Sequence, residues 1–108
     1  MIRKYQSFTP TTFLVPEEDA STRDAYLFAG LAGEAGEVAG NYAKYCRGDF
    51  DDQELVFRTK KELGDVFYFA FQLATHLGLD VEDILQTNMD KLKARFANGT
   101  IKGDGENR

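Results

Sequence analysis

A five-residue pattern written twice constrains this chain more than anything else in it. Glu34-Ala35-Gly36-Glu37-Val38 and Glu62-Leu63-Gly64-Asp65-Val66 share the form E-x-G-[E/D]-V, 28 residues apart. Each copy lies in a long segment whose apolar residues recur at helical spacing, about 100° per residue. Leu27, Leu31, Val38 and Tyr45 form one narrow stripe, with Glu34 at its middle and Glu37 on its edge. Leu55, Thr59, Val66, Leu73 and Leu77 form the other, with Glu62 at the centre and Asp65 on the edge. Charges on a solvated helix belong on the face opposite its apolar stripe. Here four carboxylates point at, or beside, the seam where two helices should pack.

The remainder of the chain reads as helix as well. Residues 3–8 suit a short N-terminal helix, followed by breaker signals at Thr9-Pro10-Thr11-Thr12 and Val15-Pro16-Glu17-Glu18 that predict an irregular connection. Ser21 or Thr22 is the expected cap of a first long helix running to about Arg47, with Gly48 as its stop. Asp51-Asp52 caps a second that continues through Leu77 to Gly78, and Asp80 and Asp83 begin a third that ends near Phe96. The β-rich run Val66-Phe67-Tyr68-Phe69-Ala70-Phe71 keeps the helical phase on both sides, so no strand is predicted. That run is apolar all round. The expected fold is therefore an all-α helical bundle, three long helices plus a short N-terminal one, completed by oligomerisation into a dimer or tetramer.

Length and composition narrow the partners. A chain of 108 residues is one domain, 1–108, able to bury roughly two thirds of its unfolded surface, with 97–108 as a flexible tail. Its net charge of -5 and lack of a basic cluster argue against duplex nucleic acid, and an anionic ligand would need cations between itself and the acids. With no 18-residue apolar run and no signal-peptide pattern, a membrane role is not expected and a cytoplasmic location is. The single Cys46 fits a reducing compartment and is read as a small buried hydrophobe.

Two features of the doubled motif need a cause. Glycine in a helix interior costs ~1 kcal/mol relative to alanine, yet Gly36 and Gly64 flank the acids in both copies, so a close approach to that backbone is expected from a neighbouring helix or a ligand. Glu34/Glu37 and Glu62/Asp65 are each one helical turn apart, and antiparallel packing lets the two pairs face each other. Carboxylates about 4 Å apart at an effective dielectric near 20 repel by ~4 kcal/mol per pair, so cations are implied. Oxygen ligands alone point to Mg²⁺, with Mn²⁺ as substitute. A di-iron bundle would want Glu-x-x-His motifs. The only histidine, His76, is not so placed and is read as structural.

The third long helix carries the opposite charge at the equivalent place. Against the stripe Val81, Leu85, Leu92, Asn88 falls where Glu34 and Glu62 fall in theirs, with Lys91 on the edge and Arg95 a turn further on. Beside an acidic metal site, an amide and two cations make a grip for a phosphate chain. Lys44, Arg58 and Lys61 are weaker candidates for the same task.

In this order, Glu-x-x-Glu, Glu-x-x-Asp and Asn88-x-x-Lys91-x-x-x-Arg95 resemble the MazG-like, all-α nucleoside triphosphate pyrophosphohydrolases. The similarity runs from about Gly30 to the C-terminus and takes in the block Gly30–Val38, the block Lys61–Val66, Leu77-Gly78 and Asn88–Leu92; upstream, Tyr5-Gln6 is the family-like feature. The resemblance implies Mg-dependent hydrolysis of a nucleoside triphosphate between its α and β phosphates, giving the monophosphate and pyrophosphate. Glu34, Glu37, Glu62 and Asp65 would hold metal and supply catalysis, with Glu37 favoured as general base. Asn88, Lys91 and Arg95 would bind the phosphates, helped by Lys44 and by Lys102 or Arg108 from the tail. House-cleaning of the nucleotide pool suits such an enzyme. The alternatives are a non-catalytic nucleotide-sensing or interaction module, and a relative specialised for phosphoribosyl-ATP or a deoxyuridine nucleotide.

Overall fold

The computed structural model describes residues 1–15 and 19–108. It is built from helices α1 (Ile2–Phe8), α2 (Ala20–Cys46), α3 (Asp52–His76) and α4 (Val81–Ala97), with a 3-10 turn at Thr9–Thr12 and no strand among the described residues. Three aspartates set where the long helices begin. Asp19 accepts from the Thr22 backbone N–H, Asp51 from that of Glu54, and Asp80 from that of Glu82, so each occupies one of the orphan donors of a first turn. The expected Ser21 or Thr22 cap is thus replaced by Asp19, whose second oxygen also accepts from the Thr22 hydroxyl at 2.6 Å. Three glycines with positive φ end the same helices: Gly48 at 88°, Gly78 at 73° and Gly99 at 70°. After each one the next N–H reaches back to the helix, Asp49 to the Lys44 carbonyl, Leu79 to that of Ala74 and Thr100 to that of Arg95, closing a Schellman turn.

Helices α2 and α3 form an antiparallel hairpin, and Leu27 at its seam is fully buried. His76 Nε2 lies 2.6 Å from Asp24 Oδ1 and ties the far end of that hairpin, a structural contact. The N-terminal segment lies along α3. Pro10 supports the 3-10 turn where an irregular connection was expected, because its fixed φ suits a first helical turn. The other expected breaker, Val15–Glu18, falls largely on residues 16–18, outside the described residues. Gln6 latches the α3–α4 corner: its amide donates to Thr75 Oγ1 and the Leu79 carbonyl, and its Oε1 accepts from the Val81 N–H at 3.0 Å. Tyr5 presents its ring edge-on to Phe71, with centroids 4.9 Å apart.

Helix α4 packs on α1 rather than across the hairpin, and this leaves the molecule open. Its Cα radius of gyration is 17.0 Å, against about 13 Å for a closed domain of this length. Its accessible surface is 7845 Å², against roughly 6,000 Å² for a folded monomer of this mass. The excess is apolar in large part: Val56, Phe57, Leu63 and Phe67 on α3, and Leu85, Met89, Leu92 and Phe96 on α4, are all exposed. Two adjoining hollows of about 530 Å³ each follow α3 and meet at Gly64 and Phe67. Cys46, expected to be buried, is exposed, because it ends α2 on the side away from the seam while Tyr45 takes the inward position.

Candidate functional site

Midway along the hairpin, Glu34 from α2 meets Glu62 and Asp65 from α3. One carboxylate oxygen from each lies within 4.8 Å of the others. Glu62 and Asp65 are one turn apart on the same face of α3, and antiparallel pairing sets Glu34 opposite them. Glu34 and Glu62 are partly buried and Asp65 is exposed, so the group opens to solvent on one flank. Loss of hydration, then the like charges of Asp65, Glu62 and Glu37, hold the Glu34 carboxyl above its ordinary range. Glu37 stands one turn along from Glu34, exposed and outside the tight triad. Three converging oxygen donors that repel one another in the native state suit a hard divalent cation, which binds such oxygens and removes the repulsion.

One turn from this group the helices touch closely at Gly30. A Cβ there would lie 2.1 Å from the Phe69 ring, so only glycine lets Phe69 cover the α2 backbone. Nothing in the chain itself makes the close approach expected at Gly36 and Gly64: an added Cβ at either meets none of its atoms within 4 Å. Gly64 instead floors the apolar groove on the outer side of α3. On the N-terminal helix, the Tyr5 phenol is raised above its ordinary range by burial and, behind that, by Tyr68 and Asp65. Only the Tyr5-Gln6 dipeptide pointed to this helix in the sequence.

The cationic residues stand elsewhere in the single chain. With α4 on α1, Asn88, Lys91 and Arg95 are not gathered with the triad. Lys91 Nζ donates to Glu106 Oε1 at 2.7 Å, and Arg95 donates to the Glu106 carbonyl at 2.6 Å. Lys44 is exposed in the last turn of α2, and Lys102 is exposed in the tail. Arg58 pairs with Glu54 at 3.0 Å and lies over the Phe50 ring, while Lys61 lies over Phe57. Arg108 donates to the carbonyls of Thr100, Gly105 and Ile101, so it fastens the tail to itself. No helix among the described residues is long and apolar enough to cross a membrane.

Comparison with known proteins agrees with this architecture. The model of the MazG nucleotide pyrophosphohydrolase domain matches residues 23–99, which include every member of the triad and the whole of α4. The chain belongs to the MazG family. A relative, the Gene 37 protein of Mycobacterium phage L5, is 40% identical over 87 residues, covering 78% of this chain and 75% of that one. No solved structure gives a significant match. In MazG terms the matched span begins after α1, so the Gln6 latch and the Glu106 contact lie outside it.

Proposed function

We propose that this MazG protein is a Mg²⁺-dependent hydrolase that cleaves nucleoside triphosphates between the α and β phosphates, releasing the monophosphate and pyrophosphate. The observation that carries the reading is the convergence of Glu34, Glu62 and Asp65 within 4.8 Å at mid-hairpin. These three would hold the metal, with Glu37 contributing from the adjacent turn. When bound, Mg²⁺, or Mn²⁺ in its place, supplies charge for the phosphate oxygens and orients the attacking water. Glu37, the carboxylate not fully occupied by metal, would accept a proton from that water. The water oxygen bonds to the α phosphorus, and the bond from that phosphorus to the bridging oxygen breaks. Pyrophosphate then leaves with the electron pair.

The phosphate grip is proposed to come from a second copy of the chain. Helix α4, which carries Asn88, Lys91 and Arg95, packs on α1 rather than on the α2–α3 hairpin, and the chain as a whole has about 1,800 Å² of surface beyond that of a closed monomer, with exposed apolar side chains on α3 and α4. Covering those faces with another subunit would bring a partner's α4 beside this hairpin, in a homodimer or a tetramer built from dimers. A nucleotide panel with Mg²⁺ tests the chemistry. The expected products are a monophosphate and pyrophosphate; release of orthophosphate, or turnover of no nucleotide, rejects the reading.

A further inference from the structure

The tail after α4 folds back on itself. Arg108 closes residues 100–108 into a loop through the carbonyls of Thr100, Gly105 and Ile101, and the backbone turns at Gly105, with φ 88°. That loop delivers Glu106 to Lys91 and Arg95, which stand one helical turn apart on α4. The Glu106 side chain is 72% exposed while that of Arg95 is 8% exposed, so the anion lies on top and the guanidinium beneath. Arg95 Nε is buried without a partner. The Glu106 carboxylate, on Lys91, and its carbonyl, on Arg95, together leave this donor of the pocket unused. An anion with more oxygens would engage it, and buried guanidinium donors are costly to leave unpaired.

We infer that Glu106 is a built-in competitor, an exposed carboxylate that occupies the Lys91/Arg95 pair in the resting protein and is displaced when a di- or triphosphate chain arrives. The inference rests on reading Lys91 and Arg95 as phosphate-binding. The Lys91–Glu106 pair rests on an exposed carboxylate and is weak enough to yield, since such pairs contribute little in water. Pyrophosphate carries more charge and more acceptor oxygens than Glu106, so displacement runs in its favour. While the tail is seated, apparent affinity for the phosphate chain is lowered by the fraction of molecules whose pair is free.

The test is a calorimetric titration of the full-length protein with inorganic pyrophosphate, without divalent cation, so that the acidic triad takes no part. Glu106→Gln is expected to bind pyrophosphate about fivefold more tightly than the wild type, the factor by which a seated tail hides the pair. A chain ending at Lys102, which also loses the Glu106 carbonyl on Arg95, should gain at least as much. Asp104→Asn removes equal charge from the same loop without touching the pair and should leave binding unchanged. Equal binding by wild type and Glu106→Gln, weaker binding by the variant, or a gain shared by Asp104→Asn overturns the inference. Circular dichroism confirms that each variant keeps its helices. A wild type that hydrolyses no nucleotide rejects the hydrolase reading, yet the titration still decides the tail's role.

Discussion

Gly30 and Phe69 lock the hairpin one turn from the acidic triad, with the ring lying where a glycine side chain would begin, 2.1 Å from the ideal Cβ position. Gly30→Ala should therefore lower the thermal midpoint, at a cost of about 1–3 kcal/mol for forcing the ring aside. Gly33→Ala is the internal comparison, because a Cβ there meets nothing within 4 Å. It should stabilise the protein by up to about 1 kcal/mol through helix propensity. Equal effects at the two positions would remove the packing argument.

Glu34 makes stability depend on pH in a defined direction. Its folded-state pKa is raised above 4.5, so the native state holds the proton more tightly than the unfolded chain does. The stability this group supports is complete below the unfolded value and is lost as pH rises through the folded one. Without metal, Glu34→Gln should melt higher than wild type at pH 7, and the gap should close as pH falls to the acid side of 4.5. Adding Mg²⁺ at pH 7 should raise the wild-type midpoint more than that of the variant. A Mg²⁺ response of the same size in both would exclude Glu34 as a ligand.

Glu62→Gln keeps shape and hydrogen bonding while removing one ligand charge. Turnover should fall at least about 100-fold, the usual scale for losing a group that positions charge in the transition state. Far-ultraviolet circular dichroism should be nearly unchanged. Unfolding of the variant would instead make the carboxylate structural.

Separate subunits can be asked to repair each other. Glu62→Gln and Lys91→Ala should each be inactive alone. Mixed and allowed to exchange, they should recover about a quarter of wild-type activity if each site takes its acids from one copy and its cations from another in a symmetric dimer. Adding Phe67→Asp, which places a charge in the exposed α3 groove, should abolish the recovery and, by sedimentation, leave a monomer where the proposed oligomer is expected. Failure to recover activity in an intact oligomer would put the cations in the same chain as the acids they serve.

Much of this architecture was legible in the sequence because its determinants are local. Asp51 and Asp80 cap the helices they precede, and Gly48 and Gly78 end them, through contacts spanning only a few residues. Helical phase likewise placed Glu34, Glu62 and Asp65 on facing stripes. The position of α4 was not legible, since phase gives the face a helix presents but not the neighbour it meets. Gln6 and Glu106 were opaque for the same reason: their contacts with Val81 and Lys91 depend on how separate segments dock. Gly36 and Gly64 could not be read further, because a missing side chain marks either a close approach or an open face, and within the chain Gly64 lies on an open groove.

The triad sits near the middle of two helices of 27 and 25 residues, far from the ends where helices fray. Its backbone amides should exchange with solvent only when the whole hairpin opens, so the acids are not expected to loosen independently to admit or release a ligand. Any gating has to come from outside the hairpin: the N-terminal helix that hangs on Gln6, or the seating of another subunit. An enzyme arranged in this way would tune its turnover at its edges and leave its centre rigid.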